Sequence, residues 1–138
     1  MDSPEPFAAR AEFRITEQEM TAFRALSGDD NPLHEDADFA CRRGFRGPVV
    51  YGGLIVARLS RLLGTELPGP GCVWRSIKLR FRAPLYVGEP AVLTASLVHS
   101  NEELGLFELK VRVESDGRCI AEGEASALLI TERHHEFT

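Results

Sequence analysis

The sequence predicts an α+β fold in which an antiparallel sheet is wrapped around one central buried helix. Three observations predict it. The stretch from Leu54 to Leu63 is apolar on nearly every side, the mark of a helix in the middle of a fold. From Cys72 onward the chain alternates apolar and polar residues at period two, in four long runs separated by turn residues. A curled sheet is the surface that buries such a helix well. With 138 residues the chain forms one domain, 1–138, large enough for a real core.

The elements follow in order. Phe7 to Ile15 reads as a short strand with Phe13 and Ile15 on one face. Thr16-Glu17-Gln18-Glu19 is a capping box, and the helix behind it places Met20, Phe23 and Leu26/Ser27 at helical spacing as its buried stripe. A turn follows, then a short helix from Pro32 to about Arg43. Arg42 to Pro48 is a basic loop, read as solvated. The central helix starts after Gly52-Gly53 and ends at Gly64. Leu67-Pro68-Gly69-Pro70-Gly71 is a turn. The first long strand carries Val73, Arg75, Ile77, Leu79 and Phe81 on one face. Ala91 to His99 and Leu104 to Glu114 alternate likewise, Ser115-Asp116-Gly117 turns a hairpin, and Cys119 to Thr131 closes the sheet.

Composition narrows the function classes. The chain is 43% apolar and 27% charged, as in an ordinary globular protein, and its net charge of −5 argues against nucleic-acid binding. Cys41, Cys72 and Cys119 show no metal-binding spacing and read as reduced thiols. Met1 to Pro6 has no signal-peptide core, and the longest apolar run is too short for a membrane span. A cytoplasmic protein away from membranes is expected. His134 and His135, in a polar tail, read as solvated rather than metal-binding.

Chemistry concentrates in Ser27-Gly28-Asp29-Asp30-Asn31-Pro32-Leu33-His34. Gly28 takes backbone angles that other residues avoid, and Pro32 pushes Asn31 out of the helical region. One helix therefore ends near Ser27 and another begins with Asn31 as N-cap and Pro32 in first position. That turn can fold the Asp29 carboxylate back toward the His34 ring, so that both hold one small polar group. On these residues alone two readings stand: an acid–base site, or a corner whose polar groups only satisfy the backbone. Gly52 and Gly53 also have two: amides open to a carbonyl or phosphate oxygen, or close packing of the helix on a sheet.

Other motifs fail. There is no Gly-x-Gly-x-x-Gly, Walker loop, Gly-x-Ser-x-Gly or His-Glu-x-x-His. The acidic residues Asp29, Asp30, Glu35, Asp36 and Asp38 do not form a calcium loop, because Leu33 stands where an oxygen ligand is needed.

Two stretches together resemble one family. Ser27 to Asp36, followed by Phe45-x-x-Pro48-Val49-Val50-x-Gly52, is similar to the signature of MaoC-like (R)-specific enoyl-CoA hydratases, which have the hot-dog fold. The similarity runs on through Ser60 and the Leu67-Pro68-Gly69 turn and covers most of the chain. The resemblance implies that Asp29 and His34 activate a water that adds to the β-carbon of a trans-2-enoyl thioester, with a proton delivered to the α-carbon on the same face. It implies that the Gly52 N–H receives the thioester oxygen as charge develops. Asn31 then supports the turn, Tyr51 and Gly53 line the pocket, and Ser60 lies near it in a supporting role. The resemblance implies no metal or cofactor, a substrate carried on coenzyme A or acyl-carrier protein, and a homodimer.

Two positions depart from the family. Tyr51 stands where many relatives have His, which bears on the pocket lining, and Asp30 adds a carboxylate beside Asp29. Arg42, Arg43, Lys78, Arg80 and Arg82 are candidates for a nucleotide phosphate. The competing functions are a hot-dog thioesterase, a dehydratase acting on acyl-carrier-protein substrates, and a non-catalytic acyl-thioester binder.

Overall fold

In the computed structural model, residues 8–132 are described. Strand β1 (Ala8–Phe13) leads into α1 (Glu17–Ser27), a single 3-10 turn at Pro32–His34, α2 (Ala37–Arg42) and the long α3 (Gly52–Thr65). Four strands follow: β2 (Cys72–Phe81), β3 (Ala91–Asn101), β4 (Leu106–Ser115) and β5 (Arg118–Leu129). They form one antiparallel sheet in the order β1-β3-β4-β5-β2.

Periodicity explains the core. Alternate residues of β3 (Ala91, Leu93, Ala95) and β4 (Leu109, Val111, Val113) are buried, and Ala121 and Ala125 of β5 join them. Ile55, Leu59, Leu62 and Leu63 of α3 belong to the same cluster, so the central helix lies against the sheet as expected. The Thr16 capping box forms in full: the Thr16 side chain accepts from the Glu19 N–H at 3.1 Å, and the Thr16 N–H donates to the Glu19 carboxylate at 2.9 Å. Asp116 and Gly117 both take positive φ in the β4–β5 turn, the geometry its sequence signals.

Several expectations need correcting. The helix from Pro32 to Arg43 is two pieces, because the Asp36 side chain accepts from the Phe39 N–H at 3.1 Å and starts α2 afresh. Leu26 leaves the α1 stripe and is 86% exposed; six residues past Met20 the helix has turned roughly 240° from it. The central helix runs through Gly64 to Thr65. In β2, strict alternation fails at an irregularity between Trp74 and Ser76 that shifts the phase. Trp74 therefore packs against the core while Val73 is 53% exposed. Because β2 is an edge strand, Phe81 is also half exposed. Phe7, His134 and His135 lie outside the described residues.

Candidate active site

The site begins where α1 stops. Gly28 takes φ 76° and its N–H returns to the Arg24 carbonyl at 2.9 Å, a left-handed cap that only glycine adopts at no steric cost. Side chains then bend the backbone step by step. Ser27 Oγ accepts from the Asp29 N–H, Asp29 Oδ1 from the Asn31 N–H, and Asn31 Oδ1 from the Leu33 N–H, each at 3.1 Å. Asn31 is thus the N-cap that the sequence indicates, with Pro32 next to it.

His34 is clamped onto the segment before α3. The Val49 N–H donates to the Leu33 carbonyl at 3.1 Å, and His34 Nδ1 meets the Val49 carbonyl at 2.6 Å. A carbonyl only accepts, so Nδ1 carries the proton, and among the described residues no hydrogen bond occupies Nε2. The ring stacks on Tyr51, with centroids 4.0 Å apart and planes 25° apart. Tyr51 is 2% exposed and donates its hydroxyl to the Asp29 main-chain carbonyl at 2.7 Å. Burial first, then the nearby Asp29 carboxylate, raises its phenol above the ordinary value, so the hydroxyl stays a neutral donor.

Gly52 and Gly53 open α3, and no side chain caps this end. Both positions are also crowded. A Cβ at Gly53 would sit 2.3 Å from the Phe23 ring, and one at Gly52 would sit 3.0 Å from the Phe81 ring. Close packing and an open helix N-terminus therefore coexist at this pair. Gly52 borders a cavity of about 390 Å³ with Phe45, Val49, Ile55, Phe81 and Arg82. His34 and Tyr51 border a different cavity, of about 230 Å³, with Met20, Arg24, Glu35 and Val87. Arg24 and Glu35 pair there at 2.6 Å.

The structure thus gathers Asn31, His34 and Tyr51 with Asp29 through backbone bonds, and sets Gly52 directly after Tyr51. The Asp29 carboxylate is exposed and bonds to the Asn31 amide; among the described residues it forms no ion pair with His34. Ser60 is exposed on α3. Of the arginines considered for phosphates, Arg82 borders the Gly52 cavity but pairs with Glu122 at 3.1 Å, and Arg43 stacks on Phe39. Lys78 and Arg80 lie opposite Glu124 and Glu122 in the sheet. Sequence reasoning missed the Val49 carbonyl, since a main-chain acceptor leaves no residue signature. It also missed Phe23 and Phe81 as the rings that require the two glycines.

Residues 3–117 match the family described as the MaoC like domain. The chain belongs to the MaoC-like family. An (R)-specific enoyl-CoA hydratase of Aeromonas caviae is 36% identical to it over 118 residues, 85% of this chain and 88% of that protein. One from Rhodospirillum rubrum is 30% identical over 115 residues, 83% of this chain and 80% of that protein. The solved (R)-hydratase of A. caviae superposes with a TM-score of 0.84 at 35% identity, covering 89% of this chain and 94% of that one. The MaoC-like chain accordingly has the hot-dog fold, and its five-stranded sheet and α3 are that fold's sheet and central helix. Among its described residues no group of three or more His, Cys, Asp or Glu side chains is placed to hold a metal ion, and no helix is long and apolar enough to cross a membrane.

Proposed function

We propose that this protein is an (R)-specific hydro-lyase that adds water to trans-2-enoyl thioesters and, in reverse, dehydrates 3-hydroxyacyl thioesters. The observation that carries the reading is His34, whose Nδ1 is committed to the Val49 carbonyl while its ring borders a cavity and stacks on Tyr51, the residue whose hydroxyl bonds the Asp29 carbonyl. In hydration, the water oxygen bonds to the β-carbon as its proton passes to the Asp29/His34 pair. A proton enters the α-carbon on the same face, and one C=C bond becomes a C–O and a C–H bond with no net redox change. The two residues act as a coupled unit, so base and donor are roles of the pair. Negative charge that gathers on the thioester oxygen is received by the Gly52 N–H, at a helix end that no side chain caps.

The smaller roles follow from position. Asn31 holds the turn and Gly53 admits Phe23 against α3, whereas Ser60, exposed on α3, borders neither the His34 nor the Gly52 cavity and is given no role. The acyl group is carried on coenzyme A or acyl-carrier protein. We further propose a cytoplasmic homodimer: β2 offers a free edge with Val73, Ile77 and Phe81 exposed, and Cys41, Cys72 and Cys119 are free thiols.

The test is hydration of a short trans-2-enoyl-CoA, followed as loss of the conjugated enone absorbance. Asp29→Asn and His34→Ala should each lower kcat by roughly a hundredfold to ten-thousandfold, the usual contribution of a general acid–base group. Full activity in both variants, or no turnover by the wild type on any enoyl thioester, would refute the reading. Light scattering on the purified protein tests the dimer.

A further inference from the structure

Tyr51 meets three parts of the site at once. Its hydroxyl donates to the Asp29 carbonyl at 2.7 Å, its ring stacks on His34 at 4.0 Å, and α3 starts at the residue after it. The first bond is the one direct link, among the described residues, from the middle of the turn to the start of α3. Among the described residues, every other hydrogen bond made by residues 28–31 reaches a neighbour within four residues, from the Arg24 carbonyl to the Leu33 and His34 amides. These local bonds shape the turn, whose ends are held by α1 at Arg24 and by Leu33 and His34 on Val49, while the Tyr51 hydroxyl ties its middle directly to the start of α3. The stack has a separate effect. The Nδ1 bond to Val49 holds one edge of the His34 ring, and a flat neighbour defines the plane in which the ring lies. Phe23, 4.8 Å from the Tyr51 ring, in turn packs Tyr51 against α1.

We propose that Tyr51 is a positioning residue that fixes the Asp29 turn, the His34 ring and the first amide of α3 in one frame. It borders the His34 cavity, but it is 2% exposed and its hydroxyl is committed to the Asp29 carbonyl, so it acts on the reacting geometry rather than on substrate affinity. This rests on the Asp29/His34 reading above. It differs from the pocket-lining role that the family resemblance implies for position 51, and the two roles predict different kinetics. A lining residue acts on substrate affinity, whereas a frame acts on the reacting geometry and so on kcat.

Tyr51→Phe keeps the ring and removes the tether. It is expected to lower kcat roughly fivefold to thirtyfold, the range of one lost hydrogen bond, with KM within about twofold of wild type. Tyr51→Leu removes the ring as well and should lower kcat further. In that variant the His34 ring-proton resonances, assigned by their loss in His34→Gln, should move downfield as the shielding ring leaves. In the wild type, nuclear Overhauser contacts should join the Tyr51 and His34 ring protons, a measurement that holds even if a variant fails to fold. Unchanged kcat in Tyr51→Phe overturns the proposal, as does a raised KM at constant kcat or the lack of those wild-type contacts. If Asp29→Asn and His34→Ala also retain full activity, the dyad reading fails; if they lose it while Tyr51→Phe does not, only the role of Tyr51 fails.

Discussion

The loop from Gly28 to Tyr51 and the sheet of β3, β4 and β5 hold their shapes by different means. In the sheet, Leu93, Leu109, Val111, Val113 and Ala121 are buried against α3. Burying one large aliphatic side chain of this kind stabilises the fold by about 1.5–3 kcal/mol. In the loop, residues 27–31 are exposed, and single hydrogen bonds set the backbone path. Each such bond contributes about 1 kcal/mol net. Stability therefore resides mainly in one region and reactive geometry in the other, and substitutions can separate them.

The sharpest break lies in the sheet, at Gly123. A Cβ there would stand 1.8 Å from the Lys78 main-chain oxygen, and neither strand can give way without losing its ladder. Gly123→Ala is expected to cost more than roughly 4 kcal/mol, a large part of a domain's whole stability. Loss of the cooperative thermal transition would show it, and a melting temperature near wild type would contradict the account.

Gly53→Ala tests the border between the regions. The intruding methyl meets the tip of the Phe23 ring, which can shift where a backbone atom could not. A loss of about 1–3 kcal/mol by denaturant titration is expected, the usual cost of overpacking. Because Phe23 packs on Tyr51, kcat should fall as well. A variant that is destabilised but fully active would separate this packing from the site.

The smallest effect concerns pH. The Glu19 carboxyl lies below its ordinary 4.5, first through the hydrogen bond from the Thr16 main-chain N–H and then through Arg58, with burial opposing both. A depressed folded value means the stabilisation is complete above the unfolded value and is lost as pH falls through the folded one. Glu19→Gln should therefore flatten the decline of melting temperature below about pH 4.5. At pH 7 it should cost under about 1 kcal/mol, since the pair is partly exposed and screened. An unaltered acid limb would contradict this origin.

Much of this was legible in the residues. Period-two runs located β3, β4 and β5, the apolar run located α3, and Thr16, Gly28 and Asn31 announced the ends of helices through their own side-chain or backbone chemistry. Failures arose where geometry depends on something without a residue signature. The phase shift in β2 is a matter of register, and the exposure of Phe81 follows from strand order. The Asp36 cap that splits the Pro32–Arg43 helix was available as a signal, but it was masked by Ala37 and Ala40 continuing the apolar spacing. In the candidate site, the placement of Asn31 and Pro32 was readable, whereas the partition of His34 and Gly52 between two cavities was not.

Val49 serves the site in two ways: its main-chain oxygen receives His34, and the residue also borders the space beside Gly52. Every amino acid brings the same carbonyl, so the imidazole tautomer is insulated from what is written at position 49. A lineage can therefore exchange that side chain to reshape the neighbouring space while inheriting the proton chemistry unchanged.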